Sequence, residues 1–255
     1  MLELTTNNPP KQDESCMSLR ATLAGLSLLG LSITPAFAEP LLTPFSTLHA
    51  VPGGGWEPLE FPRISRKTTY QLIEDDGLRV VQADTQASAS GLITRLHQPA
   101  EQAPWLRWRW KVSNVYAKGD ATRKDGDDYP VRLYVAFAFE PERASWFERT
   151  RRAAAELLYG NELPGTSLNY IWDNRLAVGS TVTNPYSEET RMIVVNQGTA
   201  QVGEWVSLER NIVADYRAAF GREPPPLVGI GIMSDSDNTG ESARAWYGDI
   251  RLDAR

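Results

Sequence analysis

The chain has 255 residues, of which 42% are apolar and 23% charged, and a formal net charge of −6. Such values belong to an ordinary globular chain and exclude disordered and fibrous classes. The acidic balance excludes a general nucleic-acid binder, which needs a basic face for phosphates, and one cysteine with two histidines leaves too little for a zinc site or a cysteine–histidine nucleophile.

Residues 17–38 read as a secretory signal peptide. Arg20 supplies the positive start, 21–33 is apolar, and Pro35-Ala36-Phe37-Ala38 offers a small-residue cleavage site. The apolar run is shorter than the ~20 residues that a membrane span needs. The polar stretch 1–16 lies upstream of a complete signal, so translation is expected to start at Met17, with 1–16 an extension outside the natural protein. Cys16 precedes the apolar run instead of ending it, so no lipid attachment is expected. The expectation is a periplasmic or secreted protein, cleaved near Ala38, without cysteine and without a transmembrane segment. Lacking disulfides, it rests on its core, which a domain of ~200 residues can supply.

Residues 39–55 are rich in proline and glycine and read as an extended leader in which Phe45 and Leu48 can dock. A single domain is expected over 56–255. Its apolar–polar alternation predicts strands over 69–74, 78–84, 91–96, 105–113, 131–139, 168–172, 191–196, 205–213, 227–234 and 245–252. Asp75-Asp76-Gly77 predicts a tight hairpin between the first two, because a type I′ turn wants positive φ there. Ser145 can cap a helix over 145–159, with Trp146, Phe147, Ala154, Leu157 and Leu158 at helical spacings and Gly160 stopping it; a shorter helical turn is expected over 215–220, before Gly221. Ten strands without βα alternation predict an all-β fold, a two-sheet antiparallel sandwich of jelly-roll type with one or two short helices in its connections.

Successive side chains on a strand face opposite ways, so each strand can be divided into a core side and an open side. Over 105–113, Leu106, Trp108, Trp110 and Val112 are the core side, and Arg107, Arg109 and Lys111 the open one. Over 131–139 the core side is Val131, Leu133, Val135, Phe137 and Phe139, leaving Arg132 and Tyr134 outside. Over 227–234 the core side is Val228, Ile230 and Ile232, with Gly229 and Gly231 leaving room on the other. Arg107, Arg109, Lys111, Arg132, Tyr134, Asn169, Tyr247 and Asp249 are therefore the candidate ligand-binding set, expected to share one groove. Trp108, Trp110, Trp172 and Trp246 are assigned to the core. Trp56, Trp105 and Trp205 lie near strand starts, where a ring can stack on a sugar or simply pack.

Two acidic loops invite a calcium reading. In 120–128, Asp120, Asp125, Asp127 and Asp128 stand beside Arg123 and Lys124. In Asp235-Ser236-Asp237-Asn238-Thr239-Gly240, oxygens fall at positions 1, 3 and 5, which makes Asp235, Asp237 and Thr239 candidate metal ligands. An EF-hand needs a glutamate at position 12, and Trp246 stands there, so that motif fails. What remains is either a looser structural calcium site or a turn capped by its own carboxylates. No other cofactor is required.

Nucleophile-elbow, zinc-protease, P-loop and dinucleotide motifs are all missing, so no catalytic residue is assigned. Five ordered segments carry a resemblance: Trp105-Leu106-Arg107-Trp108-Arg109-Trp110-Lys111-Val112; Asp127 through Phe137; Leu168-Asn169-Tyr170-Ile171-Trp172; Asp235 through Gly240; and Trp246-Tyr247-Gly248-Asp249-Ile250. Together they resemble a bacterial secreted family known as domain-of-unknown-function family 3047. The resemblance implies an exported β-sandwich similar to carbohydrate-binding jelly rolls, with no established activity. The leading expectation is a non-catalytic module binding a carbohydrate or other envelope ligand. The alternatives are an enzyme on an acidic polysaccharide, with Tyr134 or Tyr247 as base and Arg109 or Arg132 neutralising a carboxylate, and a structural partner of envelope proteins.

Overall fold

The computed structural model describes residues 40–146, 149 and 163–254, all within one compact unit, Glu39–Arg255. The expected signal peptide and its cleavage site, and most of the helix over 145–159, lie outside the described residues. Among the described residues thirteen strands run as β1 (Trp56–Leu59), β2 (Thr69–Asp75), β3 (Leu78–Gln86), β4 (Ala89–Gln98), β5 (Trp105–Val112), β6 (Arg132–Phe137), β7 (Thr166–Asp173), β8 (Thr181–Asn184), β9 (Ser187–Gln197), β10 (Val206–Asn211), β11 (Leu227–Asp235), β12 (Ser242–Tyr247) and β13 (Arg251–Asp253), and a helix, α1 (Ile212–Phe220), follows β10. They form a seven-stranded sheet, ordered β1-β4-β11-β6-β7-β9-β8, and a six-stranded sheet, ordered β10-β5-β12-β3-β2 with β13 paired to β5. The fold is the expected two-sheet sandwich. All pairings are antiparallel except β7 with β9, because β9 inserts between β7 and β8. No helix among the described residues is long and apolar enough to cross a membrane.

Local chemistry accounts for the joints. Asp76 (φ 52°) and Gly77 (φ 72°) both take the left-handed conformation that the predicted hairpin turn requires, and the pairing closes with Asp75 opposite Leu78. The strand expected over 205–213 ends at Asn211. There the side chain accepts a hydrogen bond from the Ala214 N–H and starts α1, which Gly221 (φ 68°) stops. The segment 245–252 is two strands, with Gly248, Asp249 and Ile250 as the break between β12 and β13. β1 and β8, not expected, are four-residue edge strands, too short for their alternation to register.

The core between the sheets takes Leu106, Trp108, Trp110 and Val112 from β5, Leu133, Val135 and Phe137 from β6, and Leu168, Tyr170 and Trp172 from β7. Three core assignments need correction, the first being Phe139, which lies past the end of β6 and is only partly buried. Val228 is not a core residue: an irregularity between Leu227 and Gly229 shifts the register, so Leu227 takes the core position while Ile230 and Ile232 keep theirs. On β12 the buried residues are Ala243, Ala245 and Tyr247, so Trp246 faces outward, half-buried. Trp56 is a core ring, 2% exposed, tilted against Phe45 at 4.7 Å with its Nε1 donating to the Thr43 carbonyl. The leader is therefore docked, with Leu42, Phe45 and Leu48 all buried. A second, smaller cluster lies on the far side of the seven-stranded sheet, where Ala121 and Tyr129 of the 113–131 connection cover Ile171, Met192 and Val194.

Candidate functional site

The eight candidate ligand residues do not share one groove. Arg107, Arg109 and Lys111 stand on the outer face of the six-stranded sheet; Arg132, Tyr134 and Asn169 stand on the outer face of the seven-stranded one; Tyr247 lies in the core between them. Alternation within a strand was legible from the sequence, but which strands share a sheet was not.

On the six-stranded sheet, Arg107 is paired with Glu209 and with Asp253, each at 2.6 Å. Lys111 reaches Asp75 at 2.5 Å, and the Trp205 Nε1 donates to the same carboxylate oxygen at 2.7 Å. The hydrogen bond from Lys111 holds the Asp75 carboxyl below the usual carboxylate range; partial burial opposes this and Trp205 assists it. The Lys111 ammonium also lies 5.1 Å from the Trp205 ring and 4.7 Å from the Trp246 ring, within cation–π reach of both. Arg109 is different. Its guanidinium rests on Trp205 at 4.3 Å and has no carboxylate partner among the described residues. Its side chain crosses Gly248, where a Cβ would lie 2.5 Å from its Cγ and 2.6 Å from its Nε.

Arg109 borders an open cleft of about 730 Å³ lined by Arg79, Arg107, Arg251, Glu209 and Asp249 among others. Asp249 is not a free carboxylate, since both its oxygens accept from Ser46, the backbone N–H at 2.8 Å and the hydroxyl at 2.7 Å. Arg251 lies 3.9 Å from it. Arg79, Arg251 and the stacking on Trp205 escaped the sequence reading, because the strands that bring them to Arg109 are far apart in the chain.

Arg132 on the other sheet is 2% exposed. Its Nε donates to the Asp235 Oδ1 at 2.8 Å, its Nη2 to the second oxygen of Asp235 and to the Asp127 carbonyl, and its Nη1 lies 3.3 Å from the Asp127 carboxylate. Burial works against its charge, but Asp127 and Asp235 outweigh burial and hold the guanidinium above its ordinary pKa. The parity reading placed Arg132 outside the core correctly and missed that the 113–131 connection covers it. Burial likewise pushes the Tyr134 hydroxyl up to about 12 and raises Tyr247, whose hydroxyl donates to the Met233 carbonyl at 2.7 Å and pairs with Ser234. Phenols held protonated in this way are poor general bases. Asn169 is fully buried and its side-chain amide has no hydrogen-bond partner among the described residues.

The two acidic loops meet here. Carboxylate oxygens of Asp128, Asp235 and Asp237 lie within 4.8 Å of one another. Thr239 joins as a donor, not as an oxygen ligand: its backbone N–H, at 2.6 Å, and the Asn238 amide, at 2.9 Å, both bond Asp128. Calcium wants several oxygens at once. Here Asp235 is taken by Arg132 and Asp128 by the neighbouring turn, so the donor set fits calcium poorly. The internal cation of the two loops is Arg132.

The family model described as protein of unknown function (DUF3047) matches residues 54–251. The chain belongs to this family. No curated protein matches the sequence. Among solved structures the DUF3047 chain is similar to the family 11 carbohydrate-binding module of the cellulosomal cellulase Lic26A-Cel5E of Clostridium thermocellum, at 8% identity and TM-score 0.39 over 79% of this chain and 88% of that one. It is similar also to the carbohydrate-binding module CBM28, specific for non-crystalline cellulose, at 13% identity and TM-score 0.37 over 78% and 87%. A third is the xyloglucanase domain of NopAA, a type three effector from Sinorhizobium fredii, at 8% identity and TM-score 0.39 over 84% and 100%. None of the three lends this chain an activity.

Proposed function

We propose that the protein is an exported, non-catalytic binding module whose ligand is an acidic carbohydrate of the cell envelope or its surroundings, held in the arginine cleft on the outer face of the six-stranded sheet. The observation that carries this reading is Arg109. On a chain of net charge −6, a cleft lined by four arginines and two carboxylates gathers positive charge against the average. Arg107 is compensated by two acids, whereas Arg109 is stacked on Trp205 and makes no ion pair among the described residues, Asp75 acting on it only at longer range. Guanidinium groups match carboxylate and sulfate geometry with two parallel N–H donors, and Trp205 holds this one at a fixed orientation. Export is supported by residues 17–38, which carry the charge, apolar run and small-residue site of a signal peptide.

Isothermal titration against a panel of uronic-acid oligosaccharides and neutral glucans tests the reading. Uronates bind, neutral glucans do not, and Arg109→Ala weakens uronate binding at least tenfold, about 1.4 kcal/mol. A wild-type protein that binds no acidic sugar at millimolar concentration overturns it.

A further inference from the structure

The outward positions of β5 do not end at the arginine cleft. After Arg107 and Arg109 comes Lys111, and Ser113, the residue that follows the last of β5, borders a second open cleft, of about 660 Å³, at that end of the strand. This cleft is lined by Arg66, Lys67, Arg244, Asn114 and Ser242, with Asp84 as its one carboxylate. Arg244 donates its Nε to Asp84 at 2.8 Å, Arg66 donates to the Gln86 carbonyl at 3.1 Å, and Lys67 stands 3.7 Å from Glu60. Each of these contacts uses part of a multi-donor head group and leaves further N–H groups for a ligand. Cations thus outnumber carboxylates in both clefts. The ground between them is Lys111 and the half-buried Trp246, whose indole Nε1 is fixed by Gln82 at 3.2 Å. Along the strand, Arg109 and Ser113 are four residues apart, roughly 13 Å at the usual rise, a separation that several linked sugar rings span and one does not.

We propose that the two clefts are the ends of a single binding surface, and that its ligand is an acidic oligosaccharide long enough to cross Lys111 and Trp246 and place anionic groups in both. This rests on the reading of the arginine cleft given above and adds a second subsite and a minimum ligand length. A linked second contact is made at high effective concentration, so affinity rises with chain length once the ligand reaches both clefts and stays flat below that length.

Titration with di-, tetra- and hexagalacturonate, with cellohexaose and a short single-stranded DNA as comparison polymers, decides the matter. Hexagalacturonate binds about tenfold or more tighter than digalacturonate. Combining Arg244→Ala with Lys67→Ala removes that increment while leaving the dimer's affinity in place, whereas Arg109→Ala weakens every length. Equal affinity for dimer and hexamer, or an increment that survives the double substitution, overturns the second subsite and leaves the arginine cleft standing. Cellohexaose or DNA binding as tightly as hexagalacturonate overturns the acidic-sugar assignment of the surface. Failure of every uronate to bind overturns the parent reading and this one with it. A melting curve of the double variant matching wild type shows that the loss is of ligand contacts and not of fold.

Discussion

Ser46 donates both its backbone N–H and its hydroxyl to the carboxylate of Asp249, joining the leader to the break between β12 and β13 across 203 positions of sequence. Asp249, expected to face a ligand, is thereby a fixture of the cleft wall. The bonds occupy both of its oxygens and leave only a long ion pair to Arg251. Without Ser46 the carboxylate is free to close the 3.9 Å gap to Arg251 or to turn towards Arg109. Ser46→Ala is therefore expected to cost about 0.5–1.5 kcal/mol of stability, the usual worth of a net hydrogen bond, and to weaken uronate binding by more than that loss of stability explains. Unchanged affinity in this variant counts against Asp249 as a switchable competitor for the cleft's arginines.

Gly248 is where Arg109 passes over the sheet. An added Cβ would sit 2.5 Å from the Arg109 Cγ, closer than carbon atoms approach without displacement. The nearest atoms it would meet, Cγ, Nε and Cδ, all belong to the Arg109 side chain and none to backbone, so Gly248→Ala is expected to move Arg109 off Trp205 and not to unfold the domain. Affinity for acidic sugars falls several-fold while the melting temperature stays close to wild type. A melting temperature that collapses along with the affinity shows instead that the backbone at 248 cannot adjust.

Arg132 and its carboxylates predict a non-additive pair of substitutions. Removing one partner of a buried ion pair leaves an uncompensated charge and costs about 3–5 kcal/mol, whereas replacing both partners by uncharged residues costs much less. Arg132→Leu is expected to destabilise strongly, and Asp235→Asn in the same chain to recover part of that loss, since Asp127 alone then remains. Urea denaturation of the two singles and the double measures the coupling. Additive losses would falsify the pairing as the reason Arg132 is tolerated in the interior.

The residues themselves carried most of the fold. The alternation in 105–112 and 131–137 placed the core side chains, and Asp76-Gly77 located a hairpin turn that has both expected positive φ values. What the sequence could not carry was adjacency in space. Arg109 meets Trp205 because β10 pairs with β5, and no feature of either segment names its partner. Parity also fails where register slips, as at Leu227–Gly229, and where neighbouring residues are both apolar enough to be buried, as at Trp246 and Tyr247. The role of Arg132 was hidden for a third reason. Whether an outward residue meets water or another layer of chain depends on how the 113–131 connection folds back, which is a matter of tertiary packing.

Asp75 gives the pH dependence a definite sign. Its carboxyl is held below the usual range by Lys111, so the folded state binds its proton less readily than the unfolded chain does. The stabilisation is fully present above the unfolded pKa of about 3.9 and is lost as pH falls through the lower, folded value. Urea midpoints measured from pH 5 downwards are expected to drop less steeply in Asp75→Asn than in wild type, with the difference confined to the region below about pH 4. A steeper drop in the variant reverses the sign and removes the Lys111 contact as its cause.

A ligand that binds only the folded state raises its stability in proportion to RT ln(1 + [L]/Kd), so a calcium ion held by Asp128, Asp235 and Asp237 must show in the melting temperature. Against such an ion stand the bonds already made: Asp235 accepts from Arg132, and Asp128 from Asn238 and Thr239. Asp237 is left with a carboxyl raised by partial burial and by the neighbouring Asp128. A raised acid is protonated more readily in the folded state, so stability declines as pH climbs from its unfolded pKa through its folded one. Asp237→Asn should relieve that decline. Chelator should leave the melting temperature of the wild type unchanged at neutral pH, and millimolar calcium should do no more than salt of equal ionic strength. A calcium-specific rise that Asp237→Asn abolishes would show that the loops hold an ion in addition to Arg132.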